Sequence, residues 1–291
     1  MKRCIHCSYT FESDNWVCPH CGKAPVHREG FLSFIVDTPQ DLESFDKGYF
    51  PELYKLEHDH FWFRYRNSLI IWALEKYFPK IQKILEIGCG TAFVLSELYR
   101  YNNELTLSGS DLYFEALLFA NTRLPKASFY QMDACAIPFQ DEYDLIMALD
   151  ILEHVENDVI ALGEIYCSLK TGGGLFLTVP QHKWLWSMHD EKAFHKRRYT
   201  WQELEGKMVS CGFKVVYHTS FISLLLPIMI ASRLVGALFL KMQKSYDPLR
   251  ELRISPVANT IFNIVCILEE RLVKMGYCLP TGGSLLCIGM K

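Results

Sequence analysis

The sequence predicts a doubly wound α/β fold, and three stretches carry that expectation. Ile84-Leu85-Glu86-Ile87 is a short apolar strand that passes through Gly88-Cys89-Gly90 into a helix with Val94, Leu95 and Leu98 as its apolar positions. Leu105 to Asp111 is a second strand that ends in a carboxylate, and Ser128 to Asp133 is a third with the same ending. Glycines between a strand and a helix let a ligand approach bare backbone and meet the first helix N–H groups. In an open doubly wound sheet ligands sit at strand C-termini, so Glu86, Asp111 and Asp133 are expected to converge on one crevice. An acid there can accept two ribose hydroxyls, and another can take an amine.

These residues resemble the motifs of the class I S-adenosylmethionine-dependent methyltransferases. Glu86-Ile-Gly88-Cys-Gly90 is similar to their first motif, Asp111 to the ribose-binding acid, and Asp133-Ala134 to the adenine-side pair. Ala92 stands where the fuller pattern has a third glycine, and its small methyl still allows close helix–strand packing. The resemblance runs from about Lys80 to Thr219 and resumes in the last strand. It implies a Rossmann-like sheet of seven strands with the last antiparallel, S-adenosyl-L-methionine as cofactor, and further cofactor contacts at Leu112 and Ala148. It says far less about the methyl acceptor.

Composition narrows the class. With 291 residues, 50% hydrophobic and 22% charged, the chain can bury a sizeable core. A net charge of -3 argues against a dedicated nucleic-acid binder. Met1-Lys2-Arg3 leads straight into cysteines without an apolar run, so no secretory leader is expected and the reading is cytoplasmic. Seven of the 11 cysteines, from Cys89 to Cys287, lie singly among apolar neighbours, as small buried thiols do.

The other four form Cys4-Ile-His-Cys7 and Cys18-Pro-His-Cys21-Gly22. Two such knuckles ten residues apart match a tetrathiolate zinc ribbon, with His6 and His20 as bystanders. Structural Zn2+ would be the main source of stability for so short a segment. Residues 1–29 are read as this ribbon, 30–79 as a linker and an N-terminal lid helix, and 80–291 as the methyltransferase domain. Gly30 to Tyr54 looks irregular. Glu57 to Asn67 is dense in aromatic and ionisable groups and leads into an apolar helix, Ser68 to Phe78. By the resemblance, an arginine there, Arg66 or Arg64, can hold the methionine carboxylate; alternatively the aromatics pack the helix on the sheet and the arginines face water.

Tyr143 to Leu149 is a fourth buried strand that opens into Asp150-Ile-Leu-Glu153-His154-Val155. This segment is similar to the post-strand motif of the ubiquinone-biosynthesis O-methyltransferases. His154 could take a proton from an acceptor hydroxyl, or cap the next helix, or share a divalent cation with Glu153. Asn157 to Leu169 is a helix, Lys170 to Gly174 its glycine-rich close, and Leu175 to Pro180 a fifth strand. Trp184 to Tyr199 is long and mixes tryptophans, His189, His195 and a basic triplet, so it is read as acceptor-binding, with His195 the second candidate base. A basic patch with aromatics also suits phosphate or nucleic acid. Thr200 and Glu203 form a capping box ahead of a helix ending near Gly212, and Phe213 to His218 is a sixth strand.

Phe221 to Leu240 is apolar enough in length to span a bilayer, with Arg233 its one strongly polar residue. The last strand, Ser284 to Met290, must return to the same sheet, which a single span forbids. The second helix, Pro256 to Met275, carries Asn263, Glu269, Glu270 and Arg271, and a central arginine costs roughly 2.5–3.5 kcal/mol on insertion scales. Residues 221–276 are therefore read as an apolar helical insertion that lids the acceptor pocket or makes peripheral contact with the inner face of a membrane through 221–240, where Lys241 and Lys244 would suit headgroups.

The aromatic-basic segment, the His60-Phe-Trp-Phe-Arg64 stretch and the insertion together resemble a bacterial methyltransferase group that occurs beside surface-glycan and lipid-linked sugar enzymes. The expectation is O-methylation of a small-molecule, lipid-linked or glycan acceptor. Two rivals remain: an rRNA or tRNA methyltransferase that uses its ribbon on RNA, and a cofactor-binding scaffold that docks a partner without turnover.

Overall fold

The computed structural model describes residues 1–35, 48–239 and 252–291. Lys241, Lys244 and part of the segment read as a linker lie outside the described residues. The chain starts with a small hairpin, β1 (Lys2–Arg3) and β2 (Thr10–Phe11), and a second one, β3 (Val26–Arg28) and β4 (Phe31–Ser33). Two helices follow, α1 (Tyr49–Leu56) and α2 (Phe61–Tyr77). Then strands and helices alternate: β5 (Lys83–Ile87), α3 (Phe93–Tyr101), β6 (Thr106–Asp111), α4 (Phe114–Arg123), β7 (Ser128–Gln131), β8 (Tyr143–Leu149), α5 (Asp158–Ser168) and β9 (Leu169–Pro180). After a short helix α6 (Met188–Lys192) come α7 (Trp201–Ser210), β10 (Lys214–Phe221), α8 (Leu226–Phe239), α9 (Pro256–Lys274) and β11 (Ser284–Met290).

Nine strands form one sheet in the order β10-β11-β9-β8-β5-β6-β7-β4-β3. The seven strands expected are all present, with β11 antiparallel to both β9 and β10. Strand order reverses between β5 and β8, which places the ligand crevice beyond their C-terminal ends. These central strands are apolar without alternation because both faces are covered. Ile84, Leu145, Met147 and Leu286 pack with α2, α3 and α4, whereas Leu85, Ile146, Ala148 and Leu285 pack with α5 and α7.

Three local readings are corrected. Phe31–Ser33 is not linker: it pairs in parallel with β7, Leu32 opposite Tyr130, and so extends the sheet by a hairpin. The hairpin covers what would otherwise be an open edge strand. Tyr49–Leu56 is helical although irregular structure was expected around Pro51, since proline in the first turn loses no helical hydrogen bond. Lys170–Gly174 does not close α5 but opens β9, which starts directly at Leu169.

The ribbon is docked on the domain. Arg3 donates from its backbone to Pro138 and pairs with Glu164. Trp16 meets Phe34 at 4.6 Å and Phe139 at 5.6 Å between ring centroids. In the insertion, α9 lies along α2: Tyr65 donates to Glu269 at 3.0 Å, and Asn259 accepts from the Phe61 N–H at 2.8 Å. Glu269 is buried and also takes the Leu224 N–H, so a polar residue that argued against a span is a packing contact. Arg233 comes within 3.9 Å of Asp190, and α8 therefore leans on the 182–199 segment. No described helix is long and apolar enough to cross a membrane.

Candidate active site

The glycine turn has the backbone its sequence implies. Gly88, Gly90 and Ala92 have φ of 66°, 53° and 56°. A Cβ on Gly88 would come within 2.0 Å of Ile151, whereas Gly90 faces open space. Asp111 closes over this turn: its two oxygens accept from the N–H groups of Gly90 and Tyr113, both at 2.9 Å. Burial raises its carboxyl to about 6 against the pull of these N–H groups. Leu112 presents its carbonyl to Gln131 at 3.0 Å, and Gln131 accepts from Ser33 at 2.9 Å, so the added hairpin steadies the loop after Asp111. Asp133 is exposed, with one oxygen capping the Cys135 N–H at 2.8 Å, while Ala134 is buried behind it. The methyl of Ala148 is fully buried in the core, which leaves only its backbone to face a ligand.

Helix phase separates the two arginines. Arg64 is exposed; Arg66 is buried and donates to Asp150 at 2.7 Å, with its guanidinium 4.5 Å from the Trp62 ring. Its Nε and one oxygen of the buried Glu86 have no partner. An unpaired guanidinium N–H beside an unpaired carboxyl oxygen is costly unless something polar fills the gap. The pair fits the two charges of an amino-acid tail, carboxylate to Arg66 and ammonium to Glu86. Burial pushes Glu86 up to about 8, Arg66 opposing, Glu57 and Asp111 adding to it. At neutral pH it holds a proton that an arriving ammonium must displace. Affinity for S-adenosylhomocysteine is thus expected to rise from pH 6 towards 8, by up to about tenfold per unit, and Glu86→Gln to flatten that rise. A flat wild-type titration profile would contradict the pairing.

Two residues of this wall had no role in the sequence reading. Glu57, just after α1, bonds Thr91 in the glycine turn and pairs with Arg123 at 2.7 Å. Arg123 also donates to the Tyr54 carbonyl at 2.8 Å, which pins α1 over the turn. Glu57 and Arg123 are 66 residues apart and carry no motif spacing, so no sequence signal marks them.

On the acceptor side, the chain from Gln181 to Tyr199 folds over the β8–α5 connection. Tyr199 donates to the Leu152 carbonyl at 3.1 Å, and the Lys196 N–H to that of Glu153 at 2.7 Å. This brings His195 against His154, with centroids 4.7 Å apart and rings at 85°. Burial, helped by His195 and His189, lowers His154 to about 3, so its ring is neutral and a weak proton acceptor. His195 shares a hydrogen bond of 2.9 Å with the buried Asp190. The basic triplet is not an open patch: Lys196 pairs with Glu156, Arg197 with Asp158, and Arg198 with Asp190. Each member of the triplet has a carboxylate partner, although Asp158 also takes Lys207 and Asp190 also takes Arg233, which weakens the support for phosphate or nucleic-acid binding here. Trp184 and Phe194, by contrast, are exposed. An open recess at Tyr77, Asp144 and Gly173 lies at the opposite end of the strands, away from these groups.

The four ribbon cysteines come together as their spacing implies. Cys4 and Cys21 sulfurs are 3.6 Å apart, those of Cys7 and Cys18 3.7 Å, and all four lie within 4.8 Å. Sulfurs around a tetrahedral ion with bonds of ~2.3 Å are about 3.8 Å apart, so the set fits zinc and not disulfides. Both knuckles turn through positive φ just after the second cysteine, at Ser8 (58°) and Gly22 (72°), with N–H groups returned to the carbonyls of Cys4 and Cys18. His6 and His20 are exposed.

Comparison with known proteins agrees with this picture of the fold. Residues 85–177, about a third of the chain, match a family profile described as a methyltransferase domain. No curated protein matches the chain. Among solved structures, phosphoethanolamine N-methyltransferase 2 of Haemonchus contortus, in complex with S-adenosyl-L-methionine, is similar at 16% identity and a TM-score of 0.57, over 90% of this chain and 61% of that one. A chain from the complex between the Haloferax volcanii Trm112 methyltransferase activator and its putative methyltransferase is similar at 16% identity and 0.56, over 86% and 99%. The [4+2]-cyclase SpnF shares the fold at 16% identity and 0.52, over 77% and 80%. Residues 85–177 thus carry a methyltransferase domain, on a fold shared with an S-adenosyl-L-methionine-bound methyltransferase, and neither finding says what receives a methyl group.

Proposed function

We propose that this enzyme methylates an oxygen of a small-molecule or lipid-linked acceptor, a glycan among them. In this reading Asp111 holds the ribose, Leu112, Asp133 and Ala134 border the adenine, and Arg66 and Glu86 take the methionine tail. Gly88, Gly90 and the Ala148 backbone leave room for the cofactor. S-adenosyl-L-methionine supplies a methyl group already activated by its positive sulfur. The protein's share is alignment and exclusion of water. The acceptor hydroxyl lies beside the His154–His195 pair, where its proton leaves.

The observation that carries the acceptor class is the surface around that pair. Trp184, Trp186 and Phe194 stand 60%, 39% and 44% exposed on the segment that covers it. Aromatic faces of this kind can stack on a sugar ring or pack on an isoprenoid, and with the basic triplet engaged by carboxylates they lack the free cations a nucleic-acid backbone requires. Leu224, Ile228 and Leu234 on the α8 side are exposed too, as are Val257, Ile261, Ile264 and Leu268 along one stripe of α9. They support peripheral contact of 221–240 with the inner membrane face in a cytoplasmic protein. The ribbon is read as structural zinc.

The test is transfer of labelled methyl from S-adenosyl-L-methionine into three fractions: membrane lipid extract, water-soluble small molecules and RNA. Label in lipid or small molecules, lost in His154→Ala, is the expected result. Label confined to RNA would replace this reading. A fold shared with a cyclase makes the third result informative: cofactor binding with no label anywhere favours a scaffold.

A further inference from the structure

We propose that Glu153, His154 and His195 form a binding site for a divalent transition-metal ion, such as Mn2+, Fe2+, Co2+ or Zn2+, separate from the cysteine ribbon. One donor atom from each lies within 4.8 Å of the other two. Glu153 is completely buried, and neither of its carboxylate oxygens has a hydrogen-bond partner in the protein. A buried carboxylate without a partner is among the costliest arrangements in a fold, and a cation removes that cost.

The histidines are prepared in the way metal-binding imidazoles are. Asp190 engages Nδ1 of His195 at 2.9 Å, which fixes the ring and leaves Nε2 for an ion. Asp190 is itself held by Arg198 at 2.7 Å and by the Ser187 N–H at 2.8 Å. The backbone bonds His195 to Asp190 at 2.8 Å and Lys196 to Glu153 at 2.7 Å lock the two halves of the site in register. The two imidazoles meet edge to face and are not stacked, so their nitrogens can converge. One carboxylate with two imidazoles suits transition metals over Mg2+ or Ca2+, which prefer oxygen sets, and three protein ligands leave positions open.

An open position beside the acceptor segment gives the ion a task. An acceptor oxygen bound there loses its proton to solvent water more readily. The oxygen then bonds to the methyl carbon as the carbon–sulfur bond breaks, and that electron pair stays on sulfur. This use rests on the O-methylation reading; the site itself does not.

The test is a Co2+ titration of the full chain holding one zinc per chain, in the ribbon, so that the second site starts empty, followed by visible absorption. Co2+ binds such sites more tightly than Mn2+ or Fe2+, and nitrogen–oxygen ligation lacks the thiolate bands that displacement of ribbon zinc would produce. One equivalent bound without thiolate bands is expected, weakened more than tenfold by Glu153→Gln and by His195→Gln. No Co2+ binding by the wild type, or binding unchanged in both variants, overturns the site. S-adenosylhomocysteine binding, measured on the same samples, reports separately on the methyltransferase reading and on whether the variants fold.

Discussion

Asp111→Asn is expected to lower affinity for S-adenosylhomocysteine by at least 100-fold while the protein stays folded. The native carboxylate accepts from Gly90 and Tyr113 and keeps lone pairs free for two ribose hydroxyls. Asparagine preserves the shape but replaces one acceptor oxygen by a donor, which opposes the Gly90 N–H and cannot accept from ribose. Hydrogen bonds to charged groups are worth roughly 1.5–3 kcal/mol each, and on binding one ribose hydroxyl loses its acceptor while the other loses the charge on its acceptor. Because burial lifts Asp111 to about 6, wild-type affinity should also fall below that pH as the carboxylate gains its proton. Binding by the variant within threefold of wild type, at neutral pH, would remove Asp111 from the cofactor site.

Cys18→Ser is expected to cost the ribbon its metal and its fold. The ribbon's own core is Cys4, Phe11 and Cys18 with Cys7 against it, so three of its four members are proposed ligands. Zinc-finger peptides draw about 10–16 kcal/mol from the metal, and nothing else here replaces it. Loss of the ribbon would expose Trp16 to water and uncover Phe34 and Phe139. The expected readings are the loss of one zinc per chain, a red shift in tryptophan emission, and a melting temperature lower by several degrees. Wild-type protein purified without zinc, or a variant whose zinc content matches the wild type, would contradict the assignment.

What the sequence made legible is what local pattern can carry. The glycine turn, Asp111 at the end of β6, the clustering of the four cysteines and the Thr200–Glu203 capping box are each written within a few residues and found where expected, whereas Asp133 falls two residues beyond the end of β7. Tyr143–Leu149 and Ser284–Met290 match their strands to the residue because apolar runs bounded by turns leave little freedom. Partner choice across the fold is another matter. Nothing near Phe31 says that it will extend the sheet at β7, nothing near Glu57 names Arg123, and His195 gives no sign that a buried Asp190 will orient it. Helix phase did discriminate Arg66 from Arg64, but only once the helix was seen to begin at Phe61. Ala148 shows the limit in reverse: a position at the right end of the right strand turned its side chain into the core.

The crevice at the ends of β5, β6 and β7 is expected to bind S-adenosylmethionine. Its most direct test is calorimetric titration of the wild-type chain with S-adenosylhomocysteine, at two temperatures so that a vanishing enthalpy at one cannot hide binding. One-to-one binding in the micromolar range is expected at both temperatures. No heat at either temperature would rule out this crevice as the cofactor site and leave an α/β protein whose ligand must be sought elsewhere.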